Sequence, residues 1–104
     1  MNTSKKLVHV NITFRNTEAS DALHSYSTEK VTHCLQKFIH QDTEAHLVLR
    51  VEKNRQIAEI TLHVDGASIN AEEETDNMYS AVDALVDNLT RQLRKNKEKL
   101  TKHH

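Results

Sequence analysis

Residues 77–100, NMYSAVDALVDNLTRQLRKNKEKL, place Met78, Val82, Leu85, Leu89 and Leu93 at steps of three and four. At 3.6 residues per turn these five share one stripe of a helix. A stripe about 22 Å long cannot stay in water, so the rest of the chain must supply a matching apolar face. Past Asn88 the other sides of this helix turn cationic, with Arg91, Arg94, Lys95, Lys97, Lys99 and Lys102 against a single acid, Glu98.

The matching face is read from three alternating segments. Over 6–14, Val8, Val10, Ile12 and Phe14 lie on one side and His9, Asn11 and Thr13 on the other, a half-buried strand. Over 46–53, Leu47, Leu49 and Val51 share a face, and over 57–64 so do Ala58, Ile60, Leu62 and Val64. Asn54-Arg55 is the expected connection between these two. Asp65-Gly66 tolerates the positive φ angles of a tight hairpin turn, and 68–73 follows as a short edge strand. An earlier helix starts after the N-cap candidate Ser20 and runs to about residue 39, with Leu23, Ser27, Val31, Cys34 and Phe38 in one arc and Leu35 at its edge. Residues 40–45 read as loop, and Thr75 or Asp76 as the cap of the second helix.

This order predicts an α+β fold: a two-layer sandwich, β-α-β-β-β-α, with two helices on one face of a four-stranded sheet. The first two strands run parallel across a right-handed crossover, and the last three form an antiparallel meander. One domain spans 1–104, with frayed ends at 1–5 and 101–104.

Formal net charge is -1, yet the charge is segregated. Residues 56–90 contain no Lys or Arg and hold eight acids, Glu59, Asp65, Glu72, Glu73, Glu74, Asp76, Asp83 and Asp87. A phosphate meets one face of a protein, not its average. Cys34 is the only cysteine, which excludes an internal disulfide and fits a reducing, cytoplasmic setting; no signal-peptide pattern or membrane-length apolar run is present.

The segments ITFRN (12–16), VLRVEK (48–53), AEITLHVDG (58–66), NMYSAVDALVD (77–87) and RQLRKNKEKL (91–100) together resemble the short ribosome hibernation-promoting factors and the related protein Y, from about residue 8 to 102. That family often has Gly at the position of Phe14, Asp at that of Asn77 and Lys at that of Asn88. The resemblance implies a non-enzymatic protein, without a cofactor, that binds the small ribosomal subunit and its 16S rRNA in the mRNA and tRNA channel. It implies blocked translation and ribosome storage in the cytoplasm, acting beside ribosome modulation factor, with a monomer as the free state. The long form's extra C-terminal domain and protein Y's acidic tail are not expected here.

On a helical wheel Asn88, Arg91, Lys95, Lys99 and Lys102 share an arc of roughly 80° away from the leucine stripe. Flexible cations along a helix edge can follow phosphates without reading bases. The bland alternative is a solvated helix end whose cations offset the helix dipole. The expected RNA-binding set is Arg15, Lys30, Lys37, Lys53, Arg55, Asn88, Arg91, Arg94, Lys95, Lys97, Lys99 and Lys102. Of these, Lys53 and Arg55 rest on the resemblance, and Lys30 sits where it could instead snorkel over the apolar stripe.

Other chemistries are poorly served. His9, His46 and His63 fall on the solvent side of strands without zinc-ligand spacing. Cys34 lies on the buried stripe, one glycine cannot build a phosphate loop, and Glu72, Glu73 and Glu74 are adjacent rather than paired. A small hydrolase would lack a nucleophile–base pair. The rival function is a protein-binding adaptor using the acidic 59–87 surface.

Overall fold

A computed structural model of the chain describes residues 6–102, with side chains described over 6–98. Residues 1–5 and 103–104, expected to fray, lie outside those described. The elements are β1 (Val8–Arg15), α1 (Asp21–Gln36), β2 (Thr43–Glu52), β3 (Arg55–Val64), β4 (Ala67–Thr75) and α2 (Met78–Lys102). Thr101 and Lys102, expected in a frayed end, continue α2.

The strands lie in the order β1-β2-β3-β4, with β1 parallel to β2 and the other pairs antiparallel. Register puts Ile12, Leu47, Ile60 and Ala71 in one row and Phe14, Leu49 and Ala58 in another, all on the helix side. The α2 stripe of Met78, Val82, Leu85, Leu89 and Leu93 is buried against that side, as are Leu23, Val31, Cys34 and Leu35 of α1. Removing these side chains from water drives the two layers together, at about 1.5–3 kcal/mol per fully buried Leu or Ile.

The Asp65-Gly66 turn has φ values of 52° and 80°, so both central residues are left-handed, as a primed hairpin turn requires. Ser20 caps α1, its Oγ accepting from the Leu23 amide at 3.1 Å.

Several boundaries differ from those expected. Helix α1 ends at Gln36 rather than near residue 39. The amides of Lys37 and Phe38 reach back to the carbonyls of Cys34 and Leu35, tightening the last turn. Strand β2 starts at Thr43, whose amide bonds to the Leu7 carbonyl and extends the ladder with β1. The β2–β3 connection is Lys53-Asn54; Arg55 already pairs with Glu52 in β3. Strand β4 runs on to Thr75, opposite Gln56. The α2 cap is Asn77, whose Oδ1 accepts from the Tyr79 and Ser80 amides, while Thr75 Oγ accepts from the Asn77 amide and closes the preceding turn. Ile57 is fully buried on the sheet face away from the helices, flanked in register by Arg50 and Glu74.

Candidate nucleic-acid interface

Helix α2 packs back along β4 and β3, and Leu93 is its last buried side chain among those described. Beyond the leucine stripe its cations stand in solvent. Arg91, Arg94, Lys95 and Lys97 are all exposed, and none forms an ion pair among the described residues. Lys99 and Lys102 lie in the helix, but their side chains fall outside those described.

Arg94, Lys95 and Lys97 border three different parts of the surface. Arg94 lines a cleft between α1 and α2, facing Lys30, His33 and Lys37, with Asp87 and Thr90 on its own side. Lys95 borders the start of β4 beside Ala67 and Ser68, and Lys97 lies near the Asp65 turn and His40. The fold thus brings Lys30 and Lys37 of α1 to the same layer as the α2 cations. Sequence reasoning did not find His33, Asp87 or Thr90 in this cleft, because the wheel of one helix does not show what its neighbour presents.

Lys30 does more than cover apolar surface. Its Nζ lies 3.7 Å from Asp83 Oδ1 and 5.6 Å from the centre of the Tyr26 ring. The Tyr26 hydroxyl donates to the same carboxylate at 2.5 Å. That hydrogen bond, with burial and the nearby charge of Asp83 adding to it, raises the Tyr26 phenol above its ordinary pKa.

Asn88 does not join the open cationic surface. Its Nδ2 donates to Glu73 Oε2 at 2.8 Å and its Oδ1 accepts from Gln92, which also donates to the Asn70 carbonyl. The cause is register: Glu73 pairs with Ala58 and therefore faces the helix layer, where Asn88 meets it. Asn88 is a strut between α2 and β4.

The remaining candidates lie at the other end of the sheet. Arg15 closes β1, Lys53 occupies the β2–β3 turn with φ of 58°, and Arg55 opens β3. Arg55 grips Glu74 with two hydrogen bonds of 2.9 and 2.7 Å and lies 3.6 Å from Glu52. Arg50 is more enclosed, 18% exposed, and meets Glu52, Glu59 and Glu72 at 2.9–3.4 Å. Burial pulls its guanidinium pKa down, and the hydrogen bonds to Glu52 and Glu72 more than offset that pull.

The eight acids of 56–90 do not form one surface. Glu59, Glu72 and Glu74 are engaged by Arg50 and Arg55, Glu73 faces α2, Asp65 lies 3.4 Å from His40, and Asp83 holds Tyr26. Among the described residues no group of three or more His, Cys, Asp or Glu is placed to hold a metal ion. His9 bonds Asn11 and His63 bonds Ser68. The Cys34 thiol lies 3.3 Å from Thr90 Oγ. Burial pushes its pKa up and Thr90 only partly opposes this, so the thiolate is disfavoured and Cys34 acts as a core residue.

Residues 10–101 match the family described as Sigma 54 modulation protein / S30EA ribosomal protein. The chain belongs to this family. Its curated relatives include the ribosome hibernation promoting factors of Klebsiella oxytoca, 42% identical over 92% of this chain and the whole of the relative, and of Escherichia coli K12, 40% identical over the same shares. Two solved structures superpose closely. A ribosomal subunit interface protein from Coxiella burnetii gives a TM-score of 0.78 at 28% identity, covering 86% of this chain and 98% of the other. The N-terminal domain of Thermus thermophilus protein Y gives 0.75 at 28% identity, covering 86% and 97%. Membership of this family sets the chain among non-enzymatic hibernation factors. Among the described residues no helix is long and apolar enough to cross a membrane.

Proposed function

We propose that this protein shuts down translation by lodging in the mRNA and tRNA channel of the small ribosomal subunit, in the cytoplasm, as a monomer before it binds. The observation that carries the reading is the exposed cationic end of α2, where Arg91, Arg94, Lys95 and Lys97 form no ion pair among the described residues, with Arg94 facing Lys30 and Lys37 of α1. Four to six phosphate contacts from such a surface make binding strongly salt-dependent, with log K falling against log salt at a slope of roughly -3 to -5. Inhibition is steric: a rigid two-layer body held on 16S rRNA phosphates excludes mRNA and tRNA, and no bond is made or broken. Blocked subunits are then available for storage as inactive ribosomes, and the family resemblance supports, as part of this proposal, action beside ribosome modulation factor to favour paired ribosomes. Lys99 and Lys102 extend the contact if the helix docks along its length. Arg15 and Lys53 are secondary contacts at the far end, and Arg55 is available only if Glu74 releases it.

The test is co-sedimentation with purified small subunits, with and without initiator tRNA. Binding that saturates near one copy per subunit and is displaced by tRNA is the expected result. Binding undisturbed by excess tRNA would exclude the channel, and no binding at low salt would exclude the subunit. The adaptor alternative gains nothing from the fold, because the acids of 59–87 face different ways and are largely held by partners.

A further inference from the structure

The cleft between α1 and α2 does not end at Lys30. From Lys30 a continuous line of contacts leads to Tyr26 (5.6 Å, cation over ring) and on to Tyr79 in the first turns of α2. The Tyr26 and Tyr79 rings lie 5.0 Å apart at 74°, an edge-to-face pair. Tyr26 is pinned by its hydroxyl to Asp83 and covered by Lys30, whereas Tyr79 is 40% exposed, one of two large apolar side chains so exposed among the described residues. An aromatic ring held rigid by a second ring, and left open to water, pays little ordering entropy when a flat ligand stacks on it.

The two ends of this seam differ in charge. Lys37 and Arg94 bracket one end. At the other, Asp83 stands beside the tyrosines and its charge is met by Lys30. With Lys37, Arg94 and Asp87 the first end keeps a net positive charge that favours a phosphate; at the second, Asp83 and Lys30 offset each other and a neutral planar base fits. Single-stranded nucleic acids are held in this way, by backbone phosphates in a cationic groove with bases stacked on aromatic side chains.

We propose that Tyr79, buttressed by Tyr26, is a stacking platform for one unpaired RNA base, so that the α1–α2 seam takes single-stranded RNA with its phosphates toward Lys37 and Arg94. This rests on the phosphate-binding reading above and adds to it a base contact that salt does not screen.

The probes are a short oligoadenylate and an abasic ribose-phosphate oligomer of equal length. Wild-type protein binds the oligoadenylate more tightly. Tyr79→Leu weakens oligoadenylate binding by roughly 5- to 150-fold, toward the abasic affinity, with an unchanged salt slope and a melting transition lowered only by the loss of the ring pair with Tyr26. Tyr79→Phe keeps the ring and the affinity. With two tyrosines and no tryptophan in the chain, Tyr26→Phe leaves Tyr79 as the sole tyrosine emitter, and oligoadenylate quenches it while the abasic oligomer does not. Equal binding of both oligomers by wild-type protein, or an unaffected Tyr79→Leu, overturns the platform and leaves the phosphate reading standing. Failure to bind either oligomer at low salt overturns both. Loss of ribosome binding by Tyr79→Leu with full oligoadenylate affinity assigns the ring to a protein contact and likewise overturns the platform.

Discussion

The cations at the end of α2 and the arginines of the open sheet face are the same chemical groups in opposite situations. Arg50 and Arg55 lie on strands whose neighbours present Glu52, Glu59, Glu72 and Glu74 at pairing distance, and both are held. Arg91, Arg94, Lys95 and Lys97 are exposed and form no ion pair among the described residues, although Asp65 lies near Lys97 and Asp87 near Arg94. A count of charges along the chain does not separate these regions; cross-strand register does. On the sheet the arginines are engaged by carboxylates across the ladder, and on α1 Lys30 is engaged by Asp83.

The largest expected effect comes from the available set. Arg91→Glu with Lys95→Glu removes two phosphate contacts. At 0.1 M salt that costs about 60-fold in small-subunit affinity relative to its 1 M limit, before any new repulsion. Quantitative co-sedimentation measures it, and full retention of binding would place the interface elsewhere.

Next, Arg50→Met removes the guanidinium that Glu59 and Glu72 share, while Glu52 keeps Arg55, and destabilises the fold by about 1 kcal/mol in denaturant titration. Small-subunit affinity stays as it was. A loss of affinity with intact stability would show that the paired arginines also serve binding.

A smaller effect is expected from Asn88→Lys, which restores the residue usual in the family. Glu73 waits 2.8 Å from the side chain it replaces, so the new cation pairs there and affinity changes by less than about twofold. A larger gain would mean that Glu73 yields the lysine to RNA.

The smallest concerns acid. Hydrogen bonds from Arg55 hold the Glu74 carboxyl below the usual carboxylate range. A group whose pKa is lowered on folding stabilises the protein above its unfolded value, about 4.3 for glutamate, and that stabilisation is lost as pH falls through the folded value. Urea midpoints of wild type and Arg55→Gln therefore differ at neutral pH and converge as pH drops below about 4. Curves that stay parallel would show that the pair does not act on stability.

Much of the fold was legible because two periodicities carry it. The three-and-four spacing of Met78 to Leu93 and the alternation of Leu47, Leu49, Ala58, Ile60 and Leu62 each name the buried side, and all are buried. Asp65-Gly66 marked its turn through backbone sterics alone. The misses are tertiary. Asn77 rather than Thr75 or Asp76 caps α2, a choice between adjacent capping residues that sequence leaves open. Ile57 is buried on the face that alternation assigns to solvent, beside the enclosed Arg50. A helical wheel groups Asn88 with the RNA-facing arc because it cannot show that β4 turns Glu73 toward it. The α2 cations, by contrast, are visible because six of them follow Asn88 against the one acid Glu98, and the described ones, Arg91, Arg94, Lys95 and Lys97, are exposed in the fold.

The most direct measurement is the salt dependence of small-subunit binding, compared between wild type, Arg91→Glu/Lys95→Glu and Arg50→Met. A wild-type slope of roughly -3 to -5, reduced by about 2 in the first variant and unchanged in the second, is the expected result. A slope near zero in wild type, or one that Arg50→Met alters as much as the α2 reversal, would contradict the claim that the open end of α2 is what grips the ribosome.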